Sequence, residues 1–203
     1  MRKQQKSIIL EKVLVQDYAA EGKSLARIDG KVVFIEGAVP GDVVDLLITK
    51  NKSDWAEGHT IKIHELSTDR VTPFCEHFGV CGGCQWQMLP YEKQLFYKQK
   101  QVTDNLTRIA KVKLPTIEPI IGASSTEKYR NKMEYTFATR KYIPTEEFRR
   151  MKAAGANFEN QSGAAGFHVR GFFDKVVEID TCFLQDEPTN FIRKTIAAFC
   201  NNN

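Results

Sequence analysis

Hydrophobic and polar positions alternate in short runs over the first third of the chain, at Ile8–Tyr18, Ser24–Ile28, Lys31–Glu36, Asp42–Lys50 and Gly58–Leu66. Alternation with a period of two marks strands with one buried face. Asp29-Gly30 stands between two of these runs and favours a type I′ hairpin turn, whose central residues both need positive φ. Five short strands with no helix between them predict a small closed barrel of the OB type over residues 1–67. Within the fourth run, Val43, Asp45 and Leu47 face opposite to Val44, Leu46 and Ile48.

The period lengthens after Leu89-Pro90. Tyr91, Leu95, Val102, Leu106 and Ile109 fall at helical spacing, so a helix with one apolar face is expected from Pro90 to about Val112, with proline at its first position. Lys93, Lys100, Arg108 and Lys111 lie mainly off that face. After a proline-containing connection at Leu114–Glu127, Tyr129–Thr139 reads as a strand. Alternation puts Tyr129, Asn131, Met133, Tyr135 and Phe137 on one side and Arg130, Lys132, Glu134 and Thr136 on the other. Residues 144–163 form a polar insertion with a short helix near Glu146–Ala154. Gly166–Arg170 and Lys175–Asp180 form a hairpin across the Gly171–Asp174 turn. A final helix follows Pro188, with Phe191, Ile192, Thr195, Ile196 and Phe199 on its buried side. The expected class is β-rich α+β: a barrel over 1–67, then a small α+β domain over 68–203 with an antiparallel sheet.

Composition fits that picture. The 203 residues are 42% hydrophobic and 27% charged, ordinary globular material. No apolar run approaches the ~20 residues of a membrane span, and Met-Arg-Lys-Gln-Gln-Lys opens no secretory signal. A cytoplasmic chain with no membrane partner is expected, in a compartment where thiols stay reduced. The net charge of +4 is uneven: residues 1–66 balance, whereas 67–113 carry an excess of three positive charges and 126–152 an excess of four. A polyanion would profit from that basic middle. Arg130 and Lys132 are candidate phosphate contacts, and Asn131 could pair with a base edge. Lys23, Arg27, Lys50 and Lys52 lie at expected turns or edges of the barrel. Trp55 could stack on a base or fill the barrel's open end.

Three of the five cysteines, Cys75, Cys81 and Cys84, crowd the stretch F-C-E-H-F-G-V-C-G-G-C-Q-W-Q-M. Gly82 and Gly83 let the backbone fold tightly there, so the thiolates can converge on one soft metal centre. A fourth ligand could be Cys182, Cys200, His77 or His64. Cys182 is the strongest, because it follows the alternating run Lys175–Asp180 at a strand end. Three local cysteines and a remote one suit an iron–sulfur cluster. Structural zinc more often uses paired C-x2-C knuckles, of which one is present.

The pattern C-x5-C-G-G-C-Q-W-Q, the helix opening Y-x-x-Q-L, the block Y-R-N-K-M-E-Y and the stretch G-F-H-V-R-G with V-V-E-I-D-T-C-F-L-Q resemble the iron–sulfur RNA uridine C5-methyltransferases of the RumA/RlmD type. The segment G-A-V-P-G-D-V-V looks like the signature of their TRAM domain, a small RNA-binding barrel. The resemblance implies a [4Fe–4S] cluster on Cys75, Cys81, Cys84 and Cys182, and leaves Cys200 without a role. It implies RNA as partner, ribosomal before transfer RNA, and strengthens Arg130 and Lys132 as contacts; Asn131, Lys50 and Lys52, by their positions, and His168 and Arg170 of the hairpin are the other candidate RNA contacts, His168 being more often a packed or exposed strand histidine. S-adenosylmethionine and catalysis belong, on this resemblance, to a Rossmann-like methyltransferase domain that this sequence does not contain, so the chain alone is expected to be an inactive, monomeric RNA-binding part. Two other readings are a stand-alone RNA-binding adaptor and a zinc-stabilised interaction module without RNA.

Overall fold

The computed structural model describes residues 8–158 and 162–202. Six strands, β1 (Ile8–Leu14), β2 (Asp17–Tyr18), β3 (Ser24–Ile28), β4 (Lys31–Glu36), β5 (Val43–Asn51) and β6 (Trp55–Glu65), form one sheet in the order β1-β5-β6-β4-β3-β2. The expected five runs become six strands because the first breaks after Leu14. Its halves sit at opposite ends of the sheet order, β1 on β5 and β2 on β3, so one continuous segment closes the barrel. Between them Val15 donates to the Asp42 carbonyl and Gln16 to that of Leu25. Asp29 and Gly30 take φ of 49° and 79°, as the type I′ turn requires. A bulge in β1 between Leu10 and Val13 puts Lys12 at φ 52°, where its N–H donates to Asp45 Oδ1 at 2.9 Å.

Alternation decides which face is core. Val33 and Ile35 of β4 and Val44 and Leu46 of β5 are all buried, and each such side chain contributes roughly 1.5–3 kcal/mol by leaving water. A buried ion pair holds the barrel's turn. Asp42, fully buried, receives Val39 N–H at 2.7 Å, Ser67 N–H at 2.8 Å and a two-pronged guanidinium from Arg70 at 2.8–3.1 Å.

The chain divides into two compact units, one of the described residues up to Pro73 with Trp86–Gly122, the other of Phe74–Gln85 with Ala123 onwards. Residues 86–122 thus group with the barrel, a crossing that a single division near residue 67 does not contain. Helix α1 (Tyr91–Asp104) continues as one π turn over Asn105–Ile109. Its expected apolar face holds only at the start, where Tyr91 and Leu95 are half-buried beside Gly122, and is corrected further on: Val102, Leu106 and Ile109 are exposed. It docks also through Lys93, Tyr97 and Lys100. Lys93 meets Asp69 at 2.8 Å, Lys100 meets Asp17 at 2.6 Å, and the Tyr97 ring packs edge-on against Tyr18 at 4.8 Å. The barrel offers carboxylates and an aromatic ring there, so a face carrying lysines is the complementary one.

The second unit holds the antiparallel sheet β7-β8-β9, of β7 (Thr136–Ala138), β8 (Ala164–His168) and β9 (Val176–Glu178), with helices α2 (Thr145–Ala153) and α3 (Glu187–Asn202). The strand expected over Tyr129–Thr139 survives only as β7. Before it the backbone turns to other partners: Lys128, at φ 56°, donates to the Phe183 carbonyl and Arg130 to that of Leu184. Of the five residues assigned to its core face, Met133 packs in the core and Tyr135 against Phe167, but Tyr129, Asn131 and Phe137 are exposed. Part of the expected insertion, residues 159–161, lies outside the described residues. Helix α3 reverses its expected orientation. Phe191, Ile192, Ile196 and Phe199 are exposed, and Thr195 with them, whereas Asn190 and Arg193 are buried. The inward side is polar because it satisfies backbone groups: Asn190 both accepts from Cys182 N–H and donates to its carbonyl, and Arg193 donates to the Asp180 and Ala165 carbonyls. Among the described residues no helix is long and apolar enough to cross a membrane.

Candidate functional site

The cysteine loop, residues 74–85, is stitched to the β8–β9 hairpin by its backbone. Gly82 N–H donates to the His168 carbonyl at 3.0 Å, Arg170 N–H to the Val80 carbonyl at 2.9 Å, and Cys81 bridges Val169. A Cβ on Gly82 would stand 3.0 Å from the His168 oxygen, so a side chain there would have to push the two segments of this contact apart by a few tenths of an ångström. The Arg170 guanidinium also donates to the Cys84 carbonyl. At the far end of the hairpin β9 leads through Ile179 to Cys182, whose backbone Asn190 clamps.

The thiols therefore share a neighbourhood. Cys182 is buried with Val169, Val177, Ile179 and Leu184, and Cys81 and Cys84 pack against that cluster. Burial, foremost, pushes the Cys75 and Cys81 thiols above their ordinary range, and the neighbouring thiols add to it: Cys182 for Cys75, and Cys84, Cys75 and Cys182 for Cys81. Cys75 and Cys81 thus each lie within electrostatic reach of Cys182. None of the five cysteines forms a disulfide. Gly83 N–H points at Cys81 Sγ at 3.4 Å, a weak donor to a sulfur whose electron density a metal would draw on. The all-thiol donor set on two distant segments fits a soft, multi-iron group. Among the described residues no group of three or more His, Cys, Asp or Glu side chains is arranged to hold a metal ion.

The other candidate fourth ligands are placed elsewhere. His77 Nε2 accepts the Asp180 N–H at 3.0 Å, and His64 Nε2 bonds Asp45 at 2.7 Å in the barrel. Cys200 is exposed near the end of α3.

The candidate RNA contacts fall into three kinds. Arg130, Asn131 and Lys132 are exposed, with Lys132 paired to Glu134. Lys50 pairs with Glu57 at 2.8 Å, a hydrogen bond that raises the lysine's pKa, and Lys23 shares the same carboxylate at 3.2 Å. Lys52 and Arg27 are exposed, and Trp55 is half-buried edge-on to Phe34. His168 and Arg170 are part of the hairpin that grips the cysteine loop. Asn190 and Arg193, which position Cys182, had no signal in the sequence, and His77, a ligand candidate there, serves instead as an acceptor: each acts on a backbone group that folding alone brings near.

The TRAM domain family matches residues 11–61. A protein of Bacteroides thetaiotaomicron described as an RNA methyltransferase is 50% identical over 178 residues, 88% of this chain and 38% of its own length. The 23S rRNA (uracil(1939)-C(5))-methyltransferase RlmD of Acidithiobacillus ferrooxidans is 38% identical over 131 residues, covering 64% of this chain and 30% of that protein. The chain thus spans well under half the length of the curated relatives it matches. The crystal structure of Pyrococcus abyssi tRNA (uracil-54, C5)-methyltransferase, in complex with S-adenosyl-L-homocysteine, superposes with a TM-score of 0.51 at 17% identity over 95% of this chain and 36% of that one. That likeness is one of fold.

Proposed function

The chain carries a TRAM domain and is related to the N-terminal part of the RNA methyltransferases that include RlmD, and from that premise we propose that it is the RNA-binding, substrate-positioning region of an S-adenosylmethionine-dependent RNA uridine C5-methyltransferase acting on 23S rRNA. The observation that carries the reading is the TRAM-matching barrel within a chain so related. The RlmD relatives favour ribosomal over transfer RNA as the target.

Cys75, Cys81, Cys84 and Cys182 would hold a [4Fe–4S] cluster. When bound, such a group supplies a covalent staple between the loop and the end of β9. The chain's own residues do the rest. Gly82, Arg170 and Asn190 fix the backbone on which the thiols stand, with Cys182 buried and Cys75, Cys81 and Cys84 half-buried. S-adenosylmethionine, the methyl donor, has no Gly-rich strand–turn–helix seat in this sequence and would bind in the portion of the relatives beyond the span matched here. A uridine must leave its stack before its C5 can be reached. Holding the strand while that happens is the work of a basic, partly aromatic surface.

The test is a titration of the chain with a 23S rRNA segment and with transfer RNA at several salt concentrations. Affinity that falls steeply with salt and favours the ribosomal segment is expected. Binding that salt does not weaken, or none at all, would refute the reading and favour an interaction module without RNA.

A further inference from the structure

At the tip of the β8–β9 hairpin Phe173 is 89% exposed, next to Phe172 at 47%. A phenyl ring so exposed on a turn contributes little to any core of this unit, yet it is not loose. The His168 ring lies parallel to it, 9° between planes and 5.4 Å between centroids, and His168 Nε2 is held by Thr136 Oγ1 at 3.2 Å. One face of Phe173 is thus backed by an imidazole. Beside it the Lys175 ammonium sits 4.1 Å from the Phe172 ring centroid, which fixes a positive charge at the same turn.

β7 pairs antiparallel with β8, Thr136 opposite Gly166 and Ala138 opposite Ala164, so the chain enters β7 from the end of β8 that carries His168. Lys132 precedes that entry in an ion pair with Glu134, and Arg130 N–H donates to the Leu184 carbonyl, so Lys175 is the cation seated at the turn. A flat π-face backed by a second ring, with a cation at the same turn, is the arrangement that receives an unpaired base while a charge meets the backbone. An apolar protein pocket would have no use for the neighbouring ammonium.

We propose that Phe173 is a base-stacking residue: it receives one unstacked nucleobase of a single-stranded RNA segment against its open face, in line with His168. The inference rests on the RNA-binding reading above and adds the residue and the kind of ligand, a base outside a duplex.

The experiment compares the wild-type chain with Phe173→Trp, Phe173→Leu and Phe173→Ala, using a single-stranded oligoribonucleotide with one 2-aminopurine and the same RNA annealed to its complement. Wild type and Phe173→Trp should quench the 2-aminopurine on binding. Phe173→Ala and Phe173→Leu should bind the single strand about tenfold or more weakly, the loss of one base–aromatic stack, lose the quenching, and keep the same slope of affinity against salt. Duplex binding should not change across the set. Phe173→Leu binding and quenching like wild type would overturn the stacking role and leave an apolar contact. A wild type that binds RNA while Phe173→Ala binds equally would overturn this inference alone. A wild type that binds neither RNA would overturn it together with the reading it rests on.

Discussion

Replacing Asp42 by alanine tests how the barrel is held. The carboxylate is fully buried, and it is the common acceptor for Val39 N–H, Ser67 N–H and the Arg70 guanidinium, itself 19% exposed at the side chain. Removing it orphans a buried N–H at Val39, each such loss costing ~1–3 kcal/mol, and leaves Arg70 with the Gly37 carbonyl at 3.2 Å. Breaking a buried pair from one side costs ~3–5 kcal/mol. The partial exposure of Arg70 sets the expectation at the lower end, about 3 kcal/mol. Trp55 and Trp86 both belong to the barrel unit, so urea unfolding followed by tryptophan fluorescence reads it. At an m-value of about 2 kcal/mol/M the midpoint should drop by roughly 1.5 M. Arg70→Ala should also destabilise, because it leaves the carboxylate buried with two backbone donors only, and the double variant should fall short of the sum of the two singles. An Asp42→Ala midpoint within about 0.3 M of wild type would refute the reasoning, since the carboxylate would then hold nothing.

Two further outcomes are expected. Asp45 is held below its ordinary pKa of 3.8, first by the Lys12 N–H and then by His64. Its contribution is therefore present above about pH 4 and lost as pH falls through the lower folded value. Asp45→Asn should lower Tm at neutral pH, and the gap from wild type should close in acid; a gap independent of pH would contradict the assignment. Arg130→Ala with Lys132→Ala should weaken RNA binding and reduce the salt slope by about one for each phosphate no longer neutralised. Overlapping curves at every salt concentration would remove that segment from the interface.

What the sequence made legible was local. β3 and β4 follow the alternation of Ser24–Ile28 and Lys31–Glu36 to the residue, and Asp29-Gly30 declares its turn because few dipeptides tolerate two positive φ values in a row. The break of the first run into β1 and β2 was not legible, since Val15 is as apolar as its neighbours and only barrel closure asks the chain to change partners there. Helix periodicity misled twice for one reason. In α1 and α3 the apolar stripe was assigned inward, but Lys93, Lys100, Asn190 and Arg193 face carboxylates and carbonyls that come from distant segments. A stripe of hydrophobic residues says where a helix is amphipathic, and the neighbour decides which face it takes. The Y-R-N-K segment alternates well enough for a strand, yet the Leu184 carbonyl claims the Arg130 N–H, and that of Phe183 the N–H of Lys128 just before it. For the cysteines, spacing showed the local three. The approach of Cys182 follows from the hairpin, and the clamp of Asn190 on its backbone follows only from the fold.

The most direct measurement is iron, acid-labile sulfide and zinc per chain on protein purified without oxygen, for wild type, Cys182→Ser and Cys200→Ser. A cluster held by Cys75, Cys81, Cys84 and Cys182 predicts about four irons and four sulfides in wild type and Cys200→Ser, and a marked loss in Cys182→Ser. One zinc without sulfide, or full iron in Cys182→Ser with loss in Cys200→Ser, would contradict it.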